Sequence, residues 1–132
     1  MRRGAAIVEL AIVMPFLLLL VFGIIEFGQV AYVRHVLINA ATQGARAAIL
    51  PGATEETVLA VVDQTIRDGR LGGVGSKISR KYTSGEFPDL AEHVLLTVSY
   101  ADVSLLGFFE DFQLASSATM FRGPLDERGE IE

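Results

Sequence analysis

Residues 5–25 read AAIVELAIVMPFLLLLVFGII, and this stretch decides the fold. As a helix it would rise about 31 Å, close to the roughly 30 Å of a bilayer's hydrocarbon core. Its one charged residue is Glu9, and the uncharged part from Leu10 to Ile25 would rise only about 24 Å. Either Glu9 enters the edge of the bilayer, or the local thickness of the membrane adjusts to the shorter helix. We therefore predict a transmembrane helix over residues 5–26.

The composition limits the classes of protein that the chain could belong to. It has 132 residues, a net charge of -5 and no cysteine. The absence of cysteine excludes disulfide scaffolds and thiolate metal sites. Acidic and basic residues are interspersed, so we expect no nucleic-acid partner. Outside the membrane, roughly 80–100 residues remain, which is enough for one small domain.

The charges that flank the apolar stretch predict its orientation. Arg2 and Arg3 precede it, and Arg34 is the only basic residue in the first turns after it. Short segments rich in Lys and Arg stay on the cytosolic side. We therefore expect a single-pass protein of the cytoplasmic (inner) membrane, with a cytosolic N-terminus and an extracytoplasmic C-terminal domain.

Two simpler interpretations of this stretch compete with a functional one. A secretory signal peptide would have a shorter, uncharged apolar core followed by a small-x-small cleavage site. Here the apolar run continues through Phe22 and Phe27 without such a site. A plain signal anchor would leave Gly4 and Glu9 without a role, although acids inside membranes are rare and usually functional.

Glu9 is the residue that most needs a partner. A carboxylate in hydrocarbon costs a few kcal/mol. If the chain were cut after Gly4, the new α-amino group on Ala5 would lie about one helical turn from Glu9. In a bundle of such helices, Glu9 of one subunit could face the ammonium of its neighbour. Such a pair would set the register between helices.

The N-terminal residues resemble a known family. Arg2, Arg3 and Gly4, followed by AAIVE, resemble the class III leader of type IV prepilins. The longer run from 2 to 28, RRGAAIVELAIVMPFLLLLVFGIIEFG, is similar to the N-terminus of TadE-like proteins, pseudopilins of the tight-adherence (Flp) pilus. Residues 114–124, LASSATMFRGP, are more loosely similar to the family's closing strand. The middle of the chain matches only in layout.

The resemblance implies how the chain is processed and what it assembles with. Residues 1–4 would be a leader, removed by a membrane prepilin peptidase that cuts between Gly4 and Ala5. Glu9 would act in assembly with other pilin-like subunits and the pilus machinery, in a system for cell adhesion. Leu10 stands where major Flp pilins favour an aromatic residue, and the chain is far longer than theirs. Both points favour a minor subunit, either in the filament or at its base.

Beyond Glu26 the apolar pattern predicts that the same helix continues outward and ends at Pro51-Gly52. Arg34 falls inside its apolar face. We interpret Arg34 either as a snorkelling side chain with a packed stem or as a contact to a partner subunit's acid. The predicted apolar face comprises Phe27, Val30, Ala31, Val33, Leu37, Ile38, Ala41, Ala45, Ala48 and Ile49.

The rest of the chain predicts an α+β domain. A short second helix over 54–68 has Thr54 as its cap and Gly69 at its end. Three later segments alternate in polarity, which indicates a small antiparallel sheet of about three strands packed on the helix. We assign residues 27–125 to an extracytoplasmic pilin-like domain and 126–132 to an acidic tail. The predicted buried residues of the helix are Val58, Val61, Val62, Thr65 and Ile66. In the strands, the residues that alternate with their neighbours are Ile78, Arg80, Tyr82, Val94, Leu96, Val98, Tyr100, Phe112, Leu114, Ser116, Ala118 and Met120.

A strongly apolar loop is predicted between the last two strands. Residues 104–109 read SLLGFF. The loop either folds over the edge of the sheet or rests on the membrane, or it forms a patch that binds a partner. The residues available for that contact are Leu105, Leu106, Phe108 and Phe109.

We expect neither an enzyme nor a cofactor or metal site. The acids are scattered, and His35 and His93 lack companions at metal-binding spacing. No nucleophile elbow, Walker or dinucleotide motif is present. The alternative function is a single-pass anchor whose domain binds an extracytoplasmic partner or ligand, and a membrane-tethered enzyme is a third hypothesis.

Overall fold

The computed structural model describes residues 2–85, 91–104 and 112–121, and these form an α+β domain carried by one long helix. This arrangement confirms the predicted fold class. In chain order the elements are α1 (Arg2–Ala48), α2 (Glu55–Asp68), a 3-10 helix (Gly72–Lys77), β1 (Ser79–Ser84), β2 (Ala91–Ser99), α3 (Tyr100–Val103) and β3 (Gln113–Phe121).

Helix α1 is continuous for 47 residues and passes through Pro15 without a break. Its side chains from 6 to 25 are exposed wherever they are described, and burial begins at Glu26. The helix ends at Ala48, shortly before the Pro51-Gly52 stop that the sequence predicted. Gly52 adopts a φ of 79°, a left-handed conformation that glycine allows without strain, and so turns the chain toward α2.

The buried face of α1 differs from the predicted one. Phe27 and Ile38 were expected inside but are 76% and 45% exposed. Apolar residues surround much of this helix, so polarity alone could not select the contacting side. Small residues select it instead, because they let other elements approach closely. The buried residues are Val33, Leu37, Ala40, Ala41, Gly44, Ala45 and Ala48.

The predicted second helix, α2, packs antiparallel to α1: Gly44 lies beside Val62, and Gly69 lies beside Val36. The Thr54 hydroxyl accepts a hydrogen bond from the Thr57 amide, and Gly69 follows the last turn. Near the end of α2, the Tyr32 hydroxyl donates to the Gly69 carbonyl over 2.6 Å. The predicted burial of Val58, Val62 and Ile66 is confirmed, whereas Val61 is 37% exposed and Thr65 is half-buried. Val61 lies at one edge of the predicted face, about 140° around the helix from Ile66, so the predicted face was too wide.

The three described strands form an antiparallel sheet in the order β1-β2-β3. Val94, Leu96 and Val98 of the central strand are buried against the helices, which confirms the predicted alternation. Two residues at the strand ends were predicted wrongly. Tyr100 begins α3 instead of extending β2, and Phe112 precedes β3 and is 68% exposed.

Strand β2 runs antiparallel to α1, so the domain has two distinct ends. A Cβ on Gly44 would lie 3.4 Å from Val94, near the start of β2, whereas Tyr100, just after its end, bonds to Glu26. We call the end near Glu26 the base of the domain. An exposed ion pair of 2.7 Å between Lys77 and Asp102 joins the 3-10 helix to α3 there.

Candidate functional site: the projecting helix and its junction with the domain

Residues 6–25 of α1, which we call the projecting half, extend beyond the domain without cover. Phe16 and Leu19 are each 72% exposed. Such a surface far exceeds the apolar patches of a few hundred Å² that soluble monomers usually expose. The helix is long and apolar enough to cross a membrane, and none of its most apolar window is buried. The projecting half therefore fits a membrane anchor.

Glu9 is the only charged residue in the projecting half. Its side chain is exposed and forms no hydrogen bond or ion pair with any described residue. Ala5 and Glu9 are four residues apart in one continuous helix, which corresponds to about one turn. Leu10, the next residue, is 55% exposed. The structure therefore leaves Glu9 without a partner inside the described subunit.

The predicted leader residues belong to the same helix. α1 begins at Arg2, so Arg2, Arg3 and Gly4 continue the projecting half at its N-terminal end. A Cβ added to Gly4 would meet no atom within 4 Å. Packing within the described subunit therefore does not require glycine at this position.

At the other end of the projecting half, Glu26 is held by two hydroxyl groups. Only 7% of Glu26 is exposed. The Tyr100 hydroxyl donates to its Oε1 over 3.1 Å, and the Ser104 hydroxyl donates to the same oxygen. A buried carboxylate is tolerated when hydrogen-bond donors replace its water. These bonds fasten α3 to the point where α1 leaves the domain.

Glu26 also changes the acidity of its neighbour. Partial burial raises the pKa of Tyr100 above its usual value of 10.0, and the hydrogen bond to Glu26 and that residue's charge raise it further. The bond with Ser104 lowers the pKa of Tyr100 in part. Tyr100 therefore stays a neutral donor to Glu26 at ordinary pH.

Sequence reasoning missed the role of Glu26 and treated it only as the outer boundary of the membrane segment. Its partners are 74 and 78 residues away in the chain. The one signal in the sequence was the position of Glu26 directly after the uncharged run from 10 to 25. A carboxylate next to apolar residues needs hydrogen-bond donors from elsewhere in the chain.

Arg34 lies on an exposed side of α1 instead of on the buried face. It lines a groove of about 330 Å³ with Phe27, Ile38 and Leu114. Arg34 forms no ion pair with another described residue, so a contact to a partner subunit's acid stays a prediction. The other predicted contact residues, Leu105, Leu106, Phe108 and Phe109, lie outside the described residues.

The remaining polar clusters serve the packing of the domain. Glu92 is 2% exposed and accepts hydrogen bonds from Tyr82 over 2.7 Å and Ser84 over 3.2 Å. Asp63 and Arg80 form an ion pair between α2 and β1. Within residues 2–85, 91–104 and 112–121, no three His, Asp or Glu side chains come together as a metal site would need.

These features define a class of protein: a small α+β domain whose first helix projects as one candidate membrane span. The family model described as TadE-like protein matches residues 4–46, which cover most of α1 and include Gly4, Glu9 and Arg34. This match confirms the resemblance that the N-terminal sequence indicated. It supports an association with the tight-adherence pilus system, and the long apolar helix fits a membrane anchor. Neither the curated proteins nor the solved structures contain a match to the chain.

Proposed function

We propose that the chain is a minor pilin-like subunit that acts in assembly of a tight-adherence pilus. The projecting half anchors it in the cytoplasmic membrane, with the N-terminus in the cytosol and the domain outside. One observation carries the proposal: an uncovered apolar half-helix with a single acid is rigidly continuous with a folded domain through α1. The family match over residues 4–46 supports it.

In this proposal, a prepilin peptidase removes residues 1–4. The cut between Gly4 and Ala5 creates an ammonium group about one turn from Glu9. Gly4 suits the cut, because it has no side chain to block the peptidase.

The processed subunit then packs on other pilin-like subunits through its projecting half. Lipid covers these residues before assembly, and neighbouring helices replace the lipid afterwards. Glu9 of one subunit pairs with the Ala5 ammonium of the next. Because an unpaired charge in an apolar bundle is costly, the pair permits one register and penalises others.

N-terminal sequencing tests the processing step. When the full chain is produced together with an active prepilin peptidase, we expect Ala5 as the first residue. Gly4→Val should keep the original terminus. Gly23→Ala is the matched control, because Gly23 is also an uncrowded glycine of α1 and its replacement should not affect cleavage. An uncut Met1 terminus in the presence of the active peptidase contradicts the proposal.

Substitution of Glu9 tests the assembly step. Glu9→Leu should lower copurification with other subunits of the pilus by about tenfold or more, because the neighbour's ammonium loses its partner. Leu17→Ala, in the same half of the helix, changes no charge and should lower copurification much less than Glu9→Leu does. If Glu9→Leu left cleavage and association intact, the chain would be a plain single-pass anchor whose domain binds a partner.

A further inference from the structure

Five of the 11 Lys and Arg residues of the chain fall between residues 67 and 81, and Asp68 is the only acid among them. Along the sequence these charges are spread over a helix end, a loop and a strand. The fold brings several of them around one cavity. The five residues are Arg67, Arg70, Lys77, Arg80 and Lys81.

This basic segment begins at the base of the domain. Gly69, between Arg67 and Arg70, accepts the hydrogen bond from Tyr32. Tyr32 is six residues beyond Glu26, which corresponds to about 9 Å along the helix. Lys77 is bonded to Asp102 of α3, the same short helix that holds Glu26. If residues 5–26 span the membrane, long basic side chains here reach its outer surface.

The cavity has a volume of about 420 Å³ and lies between α2, the 3-10 helix and the start of β1. Arg80 forms one wall, where it pairs with Asp63 and donates to the carbonyls of Ile78 and Gly75. Arg67 donates to Gln64 over 3.0 Å. The Arg70 guanidinium forms no hydrogen bond or ion pair with any described residue.

Arg70 is also held in an unfavourable backbone conformation. Its φ is 48°, and among the described residues it is the only one other than glycine with a positive φ. Glycine would adopt this conformation without strain, and the chain uses glycine at 69, 72 and 73 nearby. This conformation ends α2, because the Arg70 amide donates to the Arg67 carbonyl over 2.9 Å directly after the cap at Gly69. The helix ending thus places Arg70 at the cavity, although glycine would serve the turn itself equally well.

We propose that this cavity binds the phosphodiester headgroup of an anionic phospholipid on the outer face of the membrane. Phosphate oxygens accept paired, charge-assisted hydrogen bonds from guanidinium groups, and Arg70 has its donors available. The anchor keeps the cavity beside a dense supply of such headgroups. Binding fixes the orientation of the domain on the membrane surface. The inference rests on the proposed membrane anchoring.

Native mass spectrometry of the full chain tests the proposal. The chain is released from detergent micelles that hold equal amounts of phosphatidylglycerol and phosphatidylcholine. We expect adducts of phosphatidylglycerol to predominate, and Arg70→Gly to reduce that preference by about fivefold. Arg70→Gly removes the backbone strain, so its unfolding temperature should be unchanged or higher. A loss of binding could not then be attributed to misfolding.

Arg46→Ala is the matched control, because Arg46 is an exposed arginine in the last turn of α1, at the opposite end of the domain. It should retain the full preference. Equal adducts of the two lipids, or equal losses in the two variants, would overturn the proposal. So would displacement of the lipid by inorganic phosphate at equal concentration, which indicates a site for a soluble anion. Carbonate extraction of membranes checks the anchor separately, since Arg70→Gly should stay in the membrane fraction.

Discussion

The projecting half of α1 (residues 6–25) and the part of α1 inside the domain (residues 26–48), which we call the domain half, are both rich in apolar residues. The first half is exposed, whereas one face of the second is buried. Phe16 and Leu19 in the projecting half are 72% exposed, whereas Leu37 and Ala41 in the domain half are fully buried. The difference is one of size. The projecting half consists mainly of bulky residues, and the domain half has alanine or glycine at 40, 41, 44, 45 and 48. Hydrophobicity keeps a helix out of water, but small residues decide where another element of the same chain packs on it.

The carboxylates of the two halves show the same contrast. Glu9 bonds to no described residue, whereas Glu26 accepts bonds from Tyr100 and Ser104. An acid in the domain half thus has its donors within the subunit. The acid in the projecting half must obtain them from water, lipid headgroups or a neighbouring subunit.

The largest difference in stability between the two halves is expected when a leucine is truncated to alanine. Leu37→Ala should lower the free energy of unfolding of the domain by about 2–5 kcal/mol, because it leaves a cavity in a closed core. Leu17→Ala should leave it unchanged, since Leu17 is 51% exposed and contacts no part of the domain core. Chemical denaturation of the full chain in micelles, followed by circular dichroism, measures both. Equal losses would show that the two halves are not independent.

Substitution of the two acids should show the same contrast between the halves, with a smaller loss of domain stability than for leucine. Glu26→Leu removes the acceptor for two hydroxyl groups and should cost about 1–3 kcal/mol of domain stability. Glu9→Leu should not change domain stability, although it is expected to impair assembly. The same denaturation experiment applies. A destabilised Glu9→Leu domain would reveal a contact between the projecting half and the domain.

Substitution of glycine by alanine should lower domain stability only in the domain half of α1, and by a smaller amount than the acid substitution does. A Cβ on Gly44 would lie 2.5 Å from Val62, so Gly44→Ala forces the two helices apart. We expect a net loss of about 1–2 kcal/mol, because the overpacking exceeds the helix propensity that alanine adds. Gly23→Ala meets nothing within 4 Å and should not destabilise the domain. If Gly44→Ala were equally neutral, the helices would pack less tightly than the structure indicates.

The smallest effect is confined to alkaline pH. The raised pKa of Tyr100 means that the folded state holds this proton more tightly than the unfolded state. The corresponding stability is complete below the usual pKa of tyrosine, about 10. It is lost as the pH rises through the folded-state value.

Ultraviolet titration of the phenol groups measures this directly. Tyr100→Phe should remove the late-titrating component, and Glu26→Gln should move it to lower pH, because hydrogen bonding to and repulsion from the carboxylate are weakened. A titration curve that is unchanged by Glu26→Gln would contradict the described junction.

Local patterns were sufficient to predict the two longer helices and the three strands of this fold, but not the 3-10 helix or α3. The uncharged run from 10 to 25, the Thr54 cap and the alternation around Leu96 are properties of short segments, so the long helix, α2 and the strands were all predictable. The membrane anchor and the family resemblance likewise follow from the first 28 residues. Boundaries were less accurate where the chain changes direction, as at Tyr100 and Phe112.

Only the tertiary structure decided which residues meet. Phe27 and Ile38 are as apolar as Leu37, and no helical wheel could show that Val62 and Val94 approach Gly44 instead. In the same way, Glu26 meets its donors Tyr100 and Ser104 only when the sheet folds back along α1. The arginines that line the cavity, Arg67, Arg70 and Arg80, come together only when α2 packs beside β1. Local sequence determines the conformation of a segment, because neighbouring residues set its backbone preferences. Contacts between distant segments depend on the shape and volume of both surfaces, which one-dimensional patterns do not contain.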